Sequence, residues 1–346
     1  MKHEYRQFQL TLRTLAPVHI GSGEKYTARE YIRENGSFYF PDMTIFYKRL
    51  LKAHRASVFE EFLQGSKNTS KRLQDFCQKQ NITERGFGGY HIQETGLERE
   101  GQSGETNEIV KFMRDSYGCP YIPGSSLKGA IRTILMNTKW KNDNFIAPKG
   151  DEKNGNLENK DVIPWKPVKD VPFDSLFNEI RVSDSHPLSN DQLIIVQKWD
   201  YSERKQEVTP LPLYRESLAP MTEITFTITT SSGRAGNLIA SLESYAQEYY
   251  KLYYDFYLRK WPKCYIQDNQ DFPIYLGAGS GAWTKTVMEQ ANEYVQKRNS
   301  FGKMKMIDKG AMKLTKAPDH QEISLRNNKH LYEMGKACFI VEEMEI

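Results

Sequence analysis

Apolar and polar residues alternate with a two-residue period in two parts of the chain. In the first part, Phe8, Leu10 and Leu12 alternate with polar neighbours. In the second part, the sequence TEITFTIT at 222–229 places isoleucine and phenylalanine between threonines. This period is typical of a β-strand with one buried face, and β-branched threonine favours an extended backbone. The pattern predicts strands over about 6–15 and 222–229.

Two other segments have the spacing of an amphipathic helix. Apolar residues recur every three to four positions after Asp42, a suitable N-cap, to about Leu63. They do so again from about Ala235 to Trp261, where a proline follows and closes the helix. Strand and helix therefore follow one another near the start of the chain and again after residue 220. The order predicts an α+β fold with two related units.

The length of the chain agrees with two units. A chain of 346 residues can form two cores of about 100 to 200 residues each. We expect a first domain at 1–215 and a second domain at 216–346. Polar stretches rich in glycine, asparagine and lysine predict long insertions in the first domain, at about 64–110 and 141–170.

Composition narrows the class of protein. Apolar residues make up 38% and charged residues 27% of the chain, as in a folded globular protein. No run of roughly 18 to 20 apolar residues and no signal peptide are found, so we expect a cytoplasmic protein with no membrane partner. Four scattered cysteines without a C-x-x-C pair indicate no metal site, and nothing indicates a cofactor. A net charge of +4 does not by itself demand nucleic acid.

The best-marked local boundary is YIPGSSLKGAIR at 121–132. Pro123 and Gly124 end a short apolar stretch, and Ser125 or Ser126 is the expected N-cap of the helix that follows. Leu127, Ile131 and Leu135 share one face of this helix, while Lys128 and Arg132 lie one turn apart. The free N–H groups of a helix start beside a lysine suit a phosphate. A capped structural helix is the alternative.

A second segment, PVHIGSG at 17–23, follows the first strand. Gly21, Ser22 and Gly23 allow a ligand to approach the backbone closely. His19 can donate to phosphate or act as a base near neutral pH. A buried structural histidine is the alternative.

A third segment, YLGAGSGAWTKT at 275–286, has a glycine at every second position of its centre. It contains Gly277, Gly279, Ser280 and Gly281, followed by Trp283 and Lys285. Close-packed glycines let a chain wrap a phosphate backbone, tryptophan can stack on a base and lysine can pair with phosphate. A flexible turn is the alternative for this segment alone. Together, the three segments predict one continuous groove for a phosphate backbone.

The combination of HIGSG, YIPGSSLKGAIR and LGAGSG resembles the RAMP superfamily of CRISPR proteins. Within it the chain is most similar to the Csm-type (type III-A) subunit that caps the effector filament at the 3′ end of the crRNA. RVSDS at 181–185, YRESL at 214–218 and KLTK at 313–316 fit the same subunit. The resemblance implies two RRM-like, ferredoxin-type RAMP domains and a non-catalytic role.

The resemblance also implies the partners and the binding residues. Expected partners are crRNA, the neighbouring Csm-type RAMP backbone subunit and other effector subunits, with target RNA and host ribonucleases for crRNA maturation as further candidates. crRNA binding is expected through the three segments, with His19, Trp283 and Lys285 added by their chemistry. The motif positions are Gly21, Ser22, Gly23, Ser125, Ser126, Lys128, Arg132, Gly277, Gly279, Ser280 and Gly281.

Two other functions remain open from the sequence. One is a metal-independent endoribonuclease that processes precursor crRNA, with His19 as general base and Lys128 or Lys285 stabilising the phosphorane. The other is a module for small phosphorylated ligands, which would need only one glycine loop. No acidic loop matches the catalytic loop of related backbone subunits, and Asp42 and Asp115 are interpreted as a helix cap and a loop residue.

Overall fold

The computed structural model describes residues 5–65, 71–83, 86–94, 108–138, 145–146, 166–167, 177–266, 272–285, 288, 295–298, 304–307, 311–316 and 331–345. The helices in these ranges are α1 Met43–Lys52, α2 Ala56–Gln64, α3 Leu73–Lys79, α4 Gly124–Leu135, α5 Gly233–Ala240 and α6 Leu242–Phe256. The strands are β1 Arg6–Thr14, β2 Gly21–Tyr26, β3 Ile32–Glu34, β4 Ser37–Phe40, β5 Tyr90–Glu94, β6 Ile109–Phe112, β7 Phe145–Ile146, β8 Lys166–Pro167, β9 Ile180–Val182, β10 Leu193–Ser202, β11 Glu207–Leu218, β12 Glu223–Thr230, β13 Phe272–Tyr275, β14 Val295–Arg298, β15 Met304–Ile307, β16 Ala311–Lys316, β17 Leu331–Glu333 and β18 Lys336–Met344.

The first sheet has five strands in the order β13-β18-β1-β12-β9. Its central strand β1 pairs antiparallel with both β12 and β18, and Leu10 lies opposite Phe226 and Val341. Taken in chain order, β1, α4, β9, β12, α6 and β18 form the βαββαβ arrangement of a ferredoxin-like fold. The strands predicted at about 6–15 and 222–229 are confirmed as β1 and β12.

This sheet takes strands from both predicted domains. β1 and β9 come from residues before 215, whereas β12, β13 and β18 come after it. Strand β11 itself runs through the predicted boundary at residues 215 and 216. The two strand-and-helix units recognised in the sequence therefore contribute to one sheet, in which β1 pairs with β12 and β18, both more than 200 residues away along the chain.

The second sheet has nine strands and mixed pairing. Its main path is β2-β6-β11-β10-β5-β4-β3, and β16 pairs with β10 and β17. The longest pair, β10 and β11, is antiparallel with an irregularity between Gln197 and Trp199. Two short ladders, β7 with β8 and β14 with β15, lie outside both sheets.

Each of the two predicted long helices is two helices in the structure. Asp42 caps α1 as predicted, since its carboxylate accepts two backbone N–H groups of the first turn. The helix then ends, because His54 takes a left-handed conformation with φ of 55°, and α2 begins at Ala56. In the second segment α5 ends at Ala240 and α6 begins at Leu242. Apolar periodicity continues through both breaks, which is why the sequence predicts single helices.

The main hydrophobic core lies between the first sheet, helices α4 to α6 and one face of the second sheet. A smaller separate core forms around helices α1, α2 and α3, where aromatic rings such as Phe46, Phe59 and Phe76 meet. Helix α3 and strand β5 fall within the first predicted insertion and supply buried side chains, so this part of it is core. Most of the second predicted insertion lies outside the described residues. No helix among the described residues is long and apolar enough to cross a membrane.

Candidate nucleic-acid interface

The glycine loop at 277–281 has a backbone that requires glycine. Gly277, Gly279 and Gly281 have φ angles of 74°, 101° and 94°, values that residues with a side chain rarely adopt. A Cβ at Gly277 would lie 2.1 Å from the carbonyl oxygen of His19. A Cβ at Gly279 would lie 2.4 Å from Nη1 of Arg215. The glycines therefore let the loop pack against two neighbouring segments.

Backbone hydrogen bonds join the three predicted segments. The N–H of Ala278 in the glycine loop donates to the carbonyl of His19 at 2.8 Å. The N–H of Met113 donates to the carbonyl of Ile20 at 2.7 Å, and the N–H of Tyr121 donates to the carbonyl of Met113 at 3.2 Å. The structure thus brings HIGSG, YIPGSSLKGAIR and LGAGSG together, although more than 250 residues separate the first from the last.

His19 lies in the interior and supports this junction. Its side chain is 1% exposed, and Nδ1 lies 2.5 Å from the backbone carbonyl oxygen of Glu216. Burial lowers the pKa of His19 to about 4, partly opposed by that hydrogen bond, so the ring is neutral at neutral pH. The structure supports the alternative of a structural histidine, because the ring is not presented to a phosphate or a substrate at the surface.

A buried carboxylate connects the same segments to strand β6. Glu216 is fully buried, and its Oε2 accepts the N–H of Phe112 at 2.7 Å. Its Oε1 accepts from Arg114 Nη2 at 3.1 Å and from the hydroxyl of Tyr90 at 3.2 Å. Burial raises the pKa of Glu216, and Arg114 opposes that rise. These contacts satisfy the carboxylate, which would otherwise be costly to bury.

Gly21, Ser22 and Gly23 lie at the start of β2, an edge strand of the second sheet. Gly21 and Gly23 are exposed, and open space surrounds Gly23, which has a φ of 89°. The register with β6 shifts between Gly21 and Lys25, so the strand is irregular where the glycines lie. The segment remains open to a ligand on its outer side.

The central helix begins differently from the prediction. Neither serine is the N-cap, since α4 starts at Gly124 and Pro123 precedes it without a side-chain cap. The carboxylate of Asp184 accepts the N–H of Gly124 at 2.8 Å, a distant partner that local sequence does not reveal. A Cβ at Gly124 would lie 2.3 Å from the carbonyl oxygen of Val182, so the helix start is packed tightly against β9.

The two faces of α4 are only partly as predicted. Leu127, Ile131 and Leu135 are fully buried, which confirms the core face. The ammonium group of Lys128 donates to the carbonyl oxygens of Phe177 at 2.5 Å and Ile180 at 2.7 Å. Burial lowers the pKa of Lys128. Lys128 thus ties the helix to the start of β9 and to Phe177 shortly before it, instead of projecting outward. Of the other predicted contacts in this helix, Ser125 is exposed, and Ser126 and Arg132 are half-buried.

Two predicted contacts of the glycine loop face inward. Trp283 is buried and its ring packs against Phe256 and Tyr257, so it belongs to the core and is not a stacking platform. Ser280 is buried, and its hydroxyl donates to the carbonyl of Gly277 at 3.1 Å. Lys285 is exposed, as an RNA contact requires.

A cationic cluster, formed by Lys198, Arg215 and Lys313, lies beside the glycine loop. None of the three was predicted individually as a site residue. Lys313 Nζ lies 2.8 Å from Asp200 Oδ2, and Lys198 Nζ lies 3.4 Å from Asp200 Oδ1. Arg215 is half-buried next to Gly279, and Nη1 donates to the sulfur of Met334 at 3.4 Å, a weak acceptor. Burial lowers the pKa of both Arg215 and Lys198, and Asp200 opposes this. Three cations around one carboxylate leave an excess of positive charge that suits an anion.

The stretches that resemble the family supply these supporting residues. Asp184 and Ser185 of RVSDS accept the N–H groups of Gly124 and Ile122. YRESL contains Arg215 and Glu216, and KLTK begins at Lys313. Side chains that hold the interface together were thus present in segments identified by resemblance alone. Among the described residues, no group of three His, Cys, Asp or Glu side chains is arranged to hold a metal ion.

Comparisons with known proteins agree with the motifs. A model of the RAMP superfamily matches residues 11–282. The CRISPR system protein Csm5 of Streptococcus thermophilus is 51% identical over the full length of both chains. The chain belongs to the Csm5 family of the RAMP superfamily. Csm5 of Mycobacterium tuberculosis is 30% identical, with 88% of this chain and 90% of the relative covered.

Two solved structures share the fold. A chain of a Csm–crRNA–target RNA ternary complex from a type III-A CRISPR-Cas system matches with a TM-score of 0.64 and 15% identity, covering 96% of this chain and all of that chain. The crystal structure of T. onnurineus Csm5 matches with a TM-score of 0.57 and 17% identity, covering 95% and 99%. The predicted α+β fold with RRM-like RAMP domains is confirmed.

Proposed function

We propose that the chain is a crRNA-binding structural subunit of a type III-A CRISPR effector complex. Its family membership supports a place in such a complex, because a Csm–crRNA–target RNA assembly contains a chain of the same fold. The observation that carries the proposal is the glycine loop packed beside Lys198, Arg215 and Lys313. A glycine backbone next to excess, partly buried positive charge suits the phosphates of an RNA strand.

The finer features of the proposal rest on the sequence resemblance. We propose that the chain caps the filament near the crRNA 3′ end, next to a RAMP backbone subunit, and supports crRNA maturation by recruited host ribonucleases. Target RNA is a further proposed partner, and the cytoplasm is the proposed location. The division into RAMP domains at 1–215 and 216–346 remains a proposal, and β1 of the first range pairs with β12 and β18 of the second.

Recovery of the tagged chain from its native host tests this proposal. We expect short crRNAs and other Csm-type proteins to co-purify with it, and deletion of its gene to leave crRNAs with altered 3′ ends. Recovery of the tagged chain without crRNA and without other Csm-type proteins would contradict the proposal.

A second assay separates the structural role from the endoribonuclease alternative. Labelled repeat RNA incubated with the purified chain and EDTA is expected to remain intact, because His19 is buried. Cleavage by the wild type that disappears in both His19→Ala and His19→Asn would favour the enzyme. The Tm of each variant shows whether its fold is intact.

A further inference from the structure

Tyr117 is the most exposed large hydrophobic side chain among the described residues, with 91% of its surface open to solvent. It lies at the tip of a tight turn between β6 and the central segment, where Arg114 and Pro120 form a β-bridge. Its neighbours Ser116 and Gly118 are also exposed. Aromatic side chains bury a large apolar area when they find a partner, so an exposed ring on an ordered turn is available to a ligand.

The backbone below the ring is held rigidly. One carboxylate oxygen of Asp115 accepts the N–H groups of Tyr117 at 2.9 Å and Cys119 at 2.8 Å. The N–H of Asp115 donates to the carbonyl of Cys119 at 2.9 Å, and the N–H of Gly118 donates to the carbonyl of Asp115 at 3.0 Å. Gly118 takes a φ of 82°, which closes the turn. A ligand would therefore need to order only the two side-chain torsions of Tyr117.

The base of the turn is fixed to the candidate interface. The guanidinium of Arg114 donates to the carbonyl of Gly118 at 2.9 Å and to the buried carboxylate of Glu216 at 3.1 Å. Met113, one residue earlier, donates its N–H to Ile20 of the HIGSG segment. The cluster residue Arg215 precedes Glu216 in β11. The position of the ring is thus set relative to the segments that carry the proposed RNA site.

The surroundings of the ring favour a nucleobase over a protein partner. Protein-binding aromatics usually lie within a contiguous apolar patch that excludes water. The segments hydrogen-bonded to this turn contain none of the other exposed large hydrophobic side chains of the described residues, four of which lie on α1 and α2. A single ring in polar surroundings is sufficient for stacking, since every base presents an aromatic face.

We propose that Tyr117 stacks on a nucleobase of the bound RNA strand and that the Asp115 turn presents it for this purpose. The inference rests on the proposed function and adds a nucleobase contact to the proposed phosphate contacts. Stacking is tolerant of sequence, as a subunit that binds different guide sequences requires.

Substitution of Tyr117 in the full-length chain tests the contact. Tyr117→Ala is expected to weaken binding of single-stranded RNA by roughly 5- to 100-fold, because stacking contributes about that factor per base. The dependence of affinity on salt should stay unchanged, since no phosphate contact is lost. Tyr117→Phe should bind like the wild type. Tyr5→Ala, at an exposed tyrosine outside the turn, is the matched control and should also bind normally.

RNA with 2-aminopurine at successive positions identifies the stacked base. We expect the fluorescence at one position to be quenched by the wild type and by Tyr117→Phe, and to be restored by Tyr117→Ala. Equal affinity and equal quenching for Tyr117→Ala would overturn the inference. So would intact RNA binding combined with poor incorporation of Tyr117→Ala into the assembled complex, which would indicate a protein contact. Failure of the wild type to bind RNA would instead reject the proposed function.

Discussion

Single residues determine how closely the glycine loop approaches its neighbours. Gly277 requires a positive φ and contacts the backbone of His19, whereas Gly129 in helix α4 is exposed with open space at its Cβ position. Sequence alone identifies both as glycines in motif segments. It does not distinguish them, because the requirement at Gly277 comes from a carbonyl oxygen that belongs to a residue more than 250 positions away.

We expect Gly277→Ala to destabilise the protein by about 2 kcal/mol or more, since a left-handed alanine is strained and its Cβ would overlap the His19 carbonyl. Gly129→Ala is the matched control, and it should be neutral or should stabilise helix α4 by up to about 1 kcal/mol. Chemical denaturation of both variants measures the difference. Equal free energies of unfolding would show that the loop does not pack as described.

The buried His19 makes stability depend on pH. Its pKa is about 4 in the folded protein and near 6.5 when unfolded, so the unfolded chain binds a proton at a higher pH. Below pH 6.5, protonation of His19 in the unfolded chain favours unfolding. The resulting loss in the free energy of unfolding reaches its full value of about 3 kcal/mol near pH 4. The stability of the wild type should therefore fall as pH decreases through this window.

His19→Asn keeps a donor for the Glu216 carbonyl and should give a shallower fall, while the exposed His186→Asn controls for loss of a surface histidine. An unchanged slope in His19→Asn would be inconsistent with a buried neutral ring.

At the scale of elements, local patterns predict the type of each segment better than its partners. Strands β1 and β12 and the core face of α4 follow from periodicity. The pairing of β1 with both β12 and β18 does not, because it depends on contacts between distant parts of the chain. The same limit explains the wrong N-cap of α4, where Asp184 of a later segment takes the role expected of Ser125 or Ser126.

Lys128 shows how packing changes the role of a motif residue. Because its ammonium donates to the backbone carbonyls of Phe177 and Ile180, we expect Lys128→Met to lower the free energy of unfolding by about 1.5 to 3 kcal/mol. RNA affinity should keep the salt dependence of the wild type. Thermal unfolding and RNA titrations at several salt concentrations check both parts. A smaller salt slope with unchanged stability would instead place Lys128 on a phosphate.

At the scale of the whole molecule, the motifs predicted the family of the chain better than the geometry of its candidate site. The three glycine-containing segments meet as expected, and the family they indicated is confirmed. The charge beside them comes from Lys198, Arg215 and Lys313 on strands β10, β11 and β16. Alternating polar residues on strands look alike whether they face solvent or a ligand, so these three could not be selected before the sheets were assembled.

The most direct test of whether the cationic cluster binds RNA is the salt dependence of RNA binding when Arg215 and Lys313 are neutralised. For single-stranded RNA each phosphate contact contributes about 0.7 to the slope of log affinity against log salt. The double variant Arg215→Gln/Lys313→Gln should therefore bind RNA more weakly at low salt, with a slope smaller by roughly 1.4.

The matched control removes the same charges from the exposed turn between β10 and β11, in Arg204→Gln/Lys205→Gln. It should leave the slope near that of the wild type. If both double variants keep the affinity and the salt slope of the wild type, the cluster beside the glycine loop does not bind RNA phosphates.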